Sequence, residues 1–161
     1  MKRRDFITLL GGAAAWPLAA RAQQADRVRR IGVLTSLADD QVGNARHAAF
    51  VQGLRDFGWI EGRNARIDTR WGTGDVELSR KYARELVALS PDVILAGAGG
   101  IPAAIQATSI IPIVFVQSVD PIGAGFVQSL ARPGGNATGF TQFEYNLSGR
   151  WPEHSKRWRR V

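Results

Sequence analysis

Short apolar runs alternate with helical stretches along most of this chain, and this alternation constrains its fold more than any other feature. The runs RIGVLTS (residues 30–36), DVILAG (92–97) and IPIVFVQ (111–117) are continuous and rich in Val, Ile and Leu, as is typical of strands buried on both faces. Residues 64–71 alternate in period two, which predicts a strand at the edge of a sheet. A fifth strand is expected at residues 138–141.

Helices are predicted between these strands. Residues 44–58 predict a helix that ends at a glycine, and its apolar face is expected to consist of Ala45, Ala48, Ala49, Leu54 and Phe57. Residues 76–90 predict a second helix, capped by Asp75, with an apolar stripe of Leu78, Tyr82, Leu86 and Leu89. One short helix is expected to begin at Pro102, and another is expected at residues 125–130. The alternation predicts a doubly wound α/β domain with a parallel sheet in the flavodoxin-like strand order.

The first 22 residues have the pattern of a signal peptide. A basic start with the adjacent pair Arg3 and Arg4 precedes an apolar run that begins at Phe6, and the small residues Ala20 and Ala22 form an A-x-A cleavage site. The apolar run is too short for a membrane span, which needs roughly 20 residues. The arginine pair favours the twin-arginine route. The sequence therefore predicts cleavage after Ala22 and a periplasmic protein that does not span the membrane, with a core-docked N-terminal helix as the alternative.

The net charge of +7 is concentrated at the two ends of the chain. Residues 1–22 contain four basic residues and one acidic residue, and residues 150–161 contain five and one, so the 12 basic and 12 acidic residues of 23–149 balance. A nucleic-acid interface needs a clustered basic face on the folded domain, so no nucleic-acid partner is predicted. The absence of cysteine and the presence of only two histidines argue against thiol catalysis and against a Cys- or His-based metal site.

The predicted sheet directs attention to the loops after its strands, because ligands of open parallel sheets bind beyond the carboxyl ends of the strands. The loops after the first, third, fourth and fifth strands supply the candidate ligand-binding residues, which are Thr35, Ser36, Leu37, residues 97–101, Gln117, Ser118, Asp120, Thr141 and Gln142. The segment Gly97-Ala98-Gly99-Gly100 before a helix suits an anion through its backbone N–H groups, and it equally suits a tight strand-to-helix turn. Both interpretations stay open from the sequence.

Catalytic motifs are missing from the places where such a fold would carry them. The first strand is followed by TSLADDQVG, where a dinucleotide fingerprint would have G-x-G-x-x-G. Asp39 and Asp40 are predicted to lie in a solvated loop. His47 is predicted to be a surface or helix-packing residue, and Trp71 a packing residue. No catalytic residue, metal site or cofactor is predicted. The alternative is a periplasmic flavodoxin-like or Rossmann-like enzyme that binds a phosphate-bearing cofactor in the glycine loops.

Longer stretches resemble the N-terminal part of periplasmic substrate-binding proteins of ABC transporters, in the group that binds aromatic amino acids. They include AAFVQGLRDFGWIEGRN, PDVILAGAGGIPAAIQATSIIPIVFV and DPIGAGFVQSLARPGGNATGFTQFEYNLSGRW. The resemblance implies a type I periplasmic binding protein lobe, of which residues 23–149 would be the N-terminal one. It also implies a small-molecule ligand, such as an amino acid or a related carboxylate, and an ABC permease of the inner membrane as partner. The ligand contacts that the resemblance implies in this lobe are seven of the loop candidates: Ser36, Gly99, Gly100, Ile101, Gln117, Ser118 and Asp120.

The chain departs from this family in two respects. Family members often carry Thr at the position of Ile101, which puts one ligand hydrogen bond in doubt. Such proteins are also about twice as long, and the chain ends in the basic stretch PEHSKRWRRV, in residues 150–161, where relatives continue into an amphipathic helix. The tail suggests a frameshifted or truncated gene. We expect a single lobe to bind its ligand weakly or not at all.

Overall fold

A computed structural model describes residues 27–141 of the chain. The expected signal peptide, the segment that follows β5 and the basic tail lie outside the described residues. Five strands and three α-helices alternate in the order β1 (Arg29–Thr35), α1 (Gln41–Asp56), β2 (Ala65–Trp71), α2 (Val76–Ala88), β3 (Val93–Gly97), α3 (Ile101–Ala107), β4 (Ile113–Ser118) and β5 (Ala137–Thr141). A single 3-10 turn, Ala98–Gly100, precedes α3.

The five strands form one parallel sheet in the order β2-β1-β3-β4-β5. This confirms the predicted doubly wound α/β fold and its flavodoxin-like strand order. β2 lies at one edge, as its alternating sequence predicts, and β5 lies at the other. Because all strands run in the same direction, the loops after β1, β3 and β4 meet along one edge of the sheet, called here the carboxyl edge.

The two faces of the sheet differ in how well they are covered. On one face, α2 and α3 enclose the main core, whose fully buried large side chains include Leu34, Ile94 and Phe115. Among residues 27–141, α1 is the only helix on the other face, and the buried cluster there consists of Ile31, Val33 and Ala65, with Phe50 and Leu54 of α1 packed against it. Most of the apolar burial is therefore on the α2 side.

The prediction for the apolar face of α1 is wrong except for Leu54. Ala45, Ala48 and Ala49 are exposed, and Phe57 beyond the helix end is 87% exposed. The helix instead packs through the face that contains His47, Phe50 and Leu54. Alanine is equally acceptable at buried and exposed helix positions, so its spacing does not identify the packed face. For α2 the prediction holds, because Leu86 is buried and Tyr82 and Leu89 pack against the main core.

Residues 125–130 do not form the predicted helix. Asp120 instead organises a turn, in which its Oδ1 accepts a hydrogen bond from the backbone N–H of Gly123 at 2.8 Å. Gly125 follows with a φ of 72°, in the left-handed region, which prevents a helix from continuing through it. The segment still contributes to the core, because Val127 is buried against it.

Within residues 27–141, no helix is both long enough and apolar enough to cross a membrane.

Candidate ligand-binding site

The loops after β1 and β3 approach each other closely at the carboxyl edge. A methyl group added at Gly99 would lie 3.1 Å from Cβ of Ser36, and one added at Gly100 would lie 2.9 Å from Cγ of Leu34 and 3.1 Å from its carbonyl oxygen. At Gly100, therefore, the absence of a side chain is a packing requirement. The geometry thus supports the tight-turn interpretation of the glycine segment at this position. It also brings two of the predicted site residues, Ser36 and Gly99, into contact.

Ile101 lies differently from the other candidates. Its side chain is 1% exposed and belongs to the main core, and its backbone N–H donates to the carbonyl oxygen of Ala98 in the 3-10 turn. In this arrangement Ile101 holds the start of α3 against the sheet.

The loop after β4 has an unusual backbone at Gln117. This residue has a φ of 61°, although it is not glycine, and the pairing register between β4 and β5 shifts between Phe115 and Ser118. The irregularity exposes the side chain of Gln117 while Ser118 remains buried, at 5% exposure. A non-glycine residue in the left-handed region costs about 1–2 kcal/mol, which the surrounding structure must offset. Such strained residues are concentrated at functional sites.

Asp120, the last of the ligand contacts that the family resemblance implies, is half-buried beside this loop. One of its carboxylate oxygens is occupied by the hydrogen bond to Gly123. The residue therefore shapes the loop after β4. Its second carboxylate oxygen accepts no hydrogen bond and forms no ion pair within residues 27–141.

A cavity of about 470 Å³ extends from the carboxyl edge along the α1 face of the sheet. Thr35, Leu37, Gly97 and Gln117 line it at the edge. Below them its walls are mainly apolar and include Val33, Leu95, Val114, Val116 and Phe140. The loop candidates Thr35, Leu37 and Gly97 thus line this cavity. Of the seven residues that the family resemblance implies as ligand contacts, only Gln117 does, since Ser36, Gly99, Gly100, Ile101, Ser118 and Asp120 lie outside its lining.

The sequence analysis did not identify the residues of α1 and β2 that line this cavity. His47 is hydrogen bonded to Thr69 Oγ1 through Nε2 at 2.9 Å, and its ring centroid lies 5.9 Å from that of Trp71. Both residues pack as predicted, and both also line the cavity together with Arg46. The available signal was helical spacing, because His47 lies between Gly43 and Phe50 on the packed face of α1.

The strongest electrostatic effects lie away from the carboxyl edge. The backbone N–H of Arg30 and the guanidinium of Arg29 donate to Asp92, which precedes β3, and hold the pKa of that carboxyl below its ordinary value. The guanidinium of Arg30 likewise donates to Asp68 at 2.6 Å and lowers its pKa. These contacts join β1, β2 and β3 near their beginnings, so they stabilise the sheet without entering the candidate site.

The two acidic residues after β1, Asp39 and Asp40, form hydrogen bonds to the first turn of α1. Asp40 caps the helix by accepting a hydrogen bond from the backbone N–H of Gly43 at 2.8 Å, and Asp39 accepts one from the side chain of Asn44 at 2.9 Å. A side-chain cap thus stands where a dinucleotide-binding domain would place a glycine turn. Among residues 27–141, no three His, Asp or Glu side chains are grouped so that they could hold a metal ion.

Known proteins resemble this chain in sequence and in fold. The family described as ABC transporter substrate binding protein matches residues 30–146. A tyrosine-binding protein from Clostridioides difficile (strain R20291) is 31% identical over 116 residues, which are 71% of this chain and 33% of that protein.

Two solved structures extend the similarity to three dimensions. A ligand-free, open substrate-binding protein with adhesive properties from Clostridium difficile is 31% identical, with a TM-score of 0.67, and the match covers 76% of this chain and 42% of that one. An ABC domain in complex with L-Trp from Streptococcus pneumoniae is 28% identical, with a TM-score of 0.64 and coverage of 71% and 38%. The chain thus spans about a third to two fifths of the length of these relatives. On this evidence the chain belongs to the ABC transporter substrate-binding protein family.

Proposed function

We propose that residues 23–149 form one lobe of the solute-binding component of an ABC import system, with its ligand held at the carboxyl edge. The observation that carries the proposal is the convergence of the loops after β1, β3 and β4 in a chain of this family. Ser36 lies against Gly99, and Gln117, with its left-handed backbone, lines the cavity together with residues of the other two loops. Ligands of open parallel sheets bind at this edge.

The ligand that fits this proposal is an amino acid or a related carboxylate. One relative is named a tyrosine-binding protein, and the structure of another is a complex with L-Trp. At the carboxyl edge, the hydroxyls of Ser36 and Ser118 and the backbone N–H of Gly99 are neutral donors suited to a carboxylate. The free oxygen of Asp120 suits an ammonium group, and the exposed amide of Gln117 can both donate and accept. Gly100 would contribute to the site through its backbone, and Ile101 would contribute by holding the start of α3 in position.

The remaining proposals concern export and partners. Residues 1–22 would direct the chain through the twin-arginine route to the periplasm, with cleavage after Ala22, and an ABC permease of the inner membrane would receive the ligand. Members of such two-lobed folds close on a ligand through contacts from both lobes. The chain covers less than half of its relatives. We therefore propose that a second wall, outside this chain, completes the site, and that the lobe alone binds weakly.

The experiment is an amide-resolved NMR titration of the purified exported chain with L-tryptophan and, separately, L-tyrosine. We expect small, saturating shift changes at Ser36, Gly99, Gln117 and Ser118, with a dissociation constant of about 1 mM or weaker. Ser36→Ala should weaken binding by about fivefold, the value of one hydrogen bond of roughly 1 kcal/mol. Ser109→Ala, at an exposed serine after α3, is the matched control and should change nothing.

Three results would contradict the proposal. Shift changes concentrated around Arg30 and Asp92 would place the ligand at the opposite edge of the sheet. Micromolar affinity of the lobe alone would show that no second wall is needed. A visible absorbance band from a retained flavin in the purified chain would favour the enzyme alternative.

A further inference from the structure

One turn exposes three large apolar side chains at the edge of the sheet where the strands begin, called here the amino edge. The turn connects α1 to β2 and lies beside the start of β1, because the backbone N–H of Arg29 donates to the carbonyl oxygen of Asn64 at 2.9 Å. Phe57 is 87% exposed, and Trp59 and Ile60 are each 38% exposed. Because all three belong to the same turn, they form a patch, and exposed apolar patches are often functional.

Hydrogen bonds within the turn hold its backbone. The N–H of Trp59 donates to the carbonyl oxygen of Leu54 at 2.9 Å, and the N–H of Ile60 donates to Oδ1 of Asn64 at 2.7 Å. The side-chain amide of Asn64 donates in turn to the carbonyl oxygen of Gly58 at 3.0 Å. The exposed side chains therefore start from an ordered backbone, and a partner does not have to order the turn on binding.

Charge is distributed unequally between the two edges of the sheet. The amino edge has seven basic and three acidic residues in the segments 27–30, 55–66, 89–92, 108–112 and 131–136. The carboxyl edge has five acidic residues and no basic one in the segments 35–43, 72–78, 97–101 and 117–125. An anionic surface would attract the amino edge and repel the carboxyl edge, so it would orient the molecule.

Two arginines flank the apolar patch. Arg55 and Arg63 are exposed, and neither forms an ion pair within residues 27–141. Of the nearby carboxylates, Asp56 accepts a hydrogen bond from the side chain of Gln52 at 2.8 Å, and Glu61 is exposed within the turn. An anionic partner would therefore meet two available guanidiniums, with Glu61 opposing it.

The size of the patch distinguishes between anionic partners. An aromatic residue has about 150–250 Å² of surface, so the three side chains expose on the order of 350 Å². A stable protein interface takes about 800 Å² from each partner, which is well above this area. A lipid surface has no such minimum, because its affinity increases with each apolar group that enters the headgroup region and with each neighbouring basic residue. Trp is also enriched at this depth.

We propose that the turn of residues 57–63 is a docking site for an anionic lipid surface. Phe57, Trp59 and Ile60 enter the headgroup region, and Arg55 and Arg63 contact lipid phosphates. The carboxyl edge faces away from the lipid in this orientation, so a solute can bind there at the same time. None of the candidate solute-binding residues takes part, and the proposed function and this proposal can therefore fail separately.

The test is sedimentation of the purified exported chain with phosphatidylcholine vesicles that contain about 30% phosphatidylglycerol, and with vesicles of phosphatidylcholine alone. We expect binding to the anionic vesicles to be about fivefold or more stronger than to the neutral ones. Added salt should weaken it, because exposed charges are screened. Tryptophan fluorescence should shift to shorter wavelength on binding, since the Trp59 ring leaves water. Trp59→Phe should remove most of that shift and retain the binding.

Variants locate the contact. Phe57→Ser should weaken binding to the anionic vesicles by about fivefold to tenfold. Val76→Ser is the apolar control, because Val76 is 61% exposed at the carboxyl edge, and it should have no effect. Arg63→Gln should weaken binding by about fivefold, whereas Arg84→Gln, at an exposed arginine of α2, should change it by less than about twofold. Glu61→Gln should strengthen it.

Four results would overturn the proposal. Absence of binding at about 1 mM lipid would exclude the docking site. Binding that Phe57→Ser leaves unchanged would place the lipid elsewhere, and a loss with Phe140→Ser would then identify β5 as the contact. Equal losses with Arg63→Gln and Arg84→Gln would mean that net charge governs binding, and not the turn. A dimer in gel filtration that forms without lipid and that Phe57→Ser abolishes would make a second copy of the chain the occupant.

Discussion

Asp92 connects the beginning of β3 to the beginning of β1 through three arginines. Its Oδ2 accepts from the backbone N–H of Arg30 at 2.8 Å, and its Oδ1 accepts from Arg29 at 2.9 Å and lies 3.3 Å from Arg27. Such contacts favour the ionised carboxylate, which is why the pKa of Asp92 lies below its ordinary value. A depressed pKa in the folded state makes this residue a source of pH-dependent stability.

Replacement of Asp92 by Asn should lower the free energy of unfolding by about 1 kcal/mol at pH 7, because a charge-assisted hydrogen bond is lost. The folded-state pKa lies below the unfolded value of about 3.9, so the contribution is complete above that value and is lost as the pH falls through the folded-state pKa. Urea unfolding at several pH values between about 7 and 3 should show the difference between the two proteins narrowing as the pH falls below about 4.

Glu77→Gln is the control for this prediction. Glu77 pairs with Arg80 on the surface of α2, where its side chain is 79% exposed, and it should contribute less than about 0.5 kcal/mol. A difference between wild type and Asp92→Asn that stays constant between about pH 7 and pH 3, with no narrowing, would show that packing, and not ionisation, explains the effect of the substitution.

Among the elements, α1 shows how contacts override intrinsic helix preference. Two glycines lie within it, and an alanine at either would gain about 1 kcal/mol from helix propensity alone. Their surroundings differ. A Cβ at Gly43 would meet the carbonyl oxygen of Ala38 at 2.1 Å and the Trp71 ring at 3.0 Å, whereas a Cβ at Gly53 would have nothing within 4 Å.

Gly43→Ala should therefore destabilise the protein by about 1–3 kcal/mol, since the clash with backbone outweighs the propensity gain. Gly53→Ala, the matched control in the same helix, should stabilise it by up to about 1 kcal/mol. Thermal or urea unfolding of both variants shows whether each substitution raises or lowers the free energy of unfolding. Equal effects at the two positions would mean that α1 does not lie against the loop after β1 and Trp71 as described.

The elements also show what the sequence can and cannot predict. The continuous apolar runs predicted β1, β3 and β4, because a strand buried on both faces needs such a run. The alternation of strands and helices predicted the strand order. The packed face of α1 was not predicted, since it depends on Gly43 fitting against the loop of Ala38. Ser36 and Gly99 could be predicted, because ligands of parallel sheets bind at the carboxyl ends of the strands. Arg46, His47 and Trp71 could not, because they belong to two segments that lie far apart in the sequence and meet at the cavity only in the folded chain.

The whole molecule is asymmetric about its sheet. Neighbouring residues of β3 illustrate this, because Ile94 points to the α2 side and is 0% exposed, while Leu95 points to the α1 side and is half-buried at the cavity. The cost of removing an apolar side chain increases with its burial and with the cavity that is left. Stability should therefore reside mainly in one half of the structure.

Ile94→Ala should cost about 3–4 kcal/mol, and Leu95→Ala about 1–2 kcal/mol, although the two residues are adjacent and similar in size. Chemical denaturation followed by circular dichroism measures both. The comparison is internally controlled, because the backbone environment of the two positions is shared. Equal losses would indicate that the α1 face is as well covered as the opposite one.

The left-handed backbone of Gln117 restricts how a lobe of this kind can diversify. At that position Gly, Asn and Asp are the residues that most easily accept the φ of 61°, and a β-branched side chain would be strained. Ser36 is under no such restriction, because its φ is not positive. If Gln117 faces the solute, adaptation to a new solute would proceed by exchange at Ser36 and its neighbours, while position 117 would remain nearly fixed.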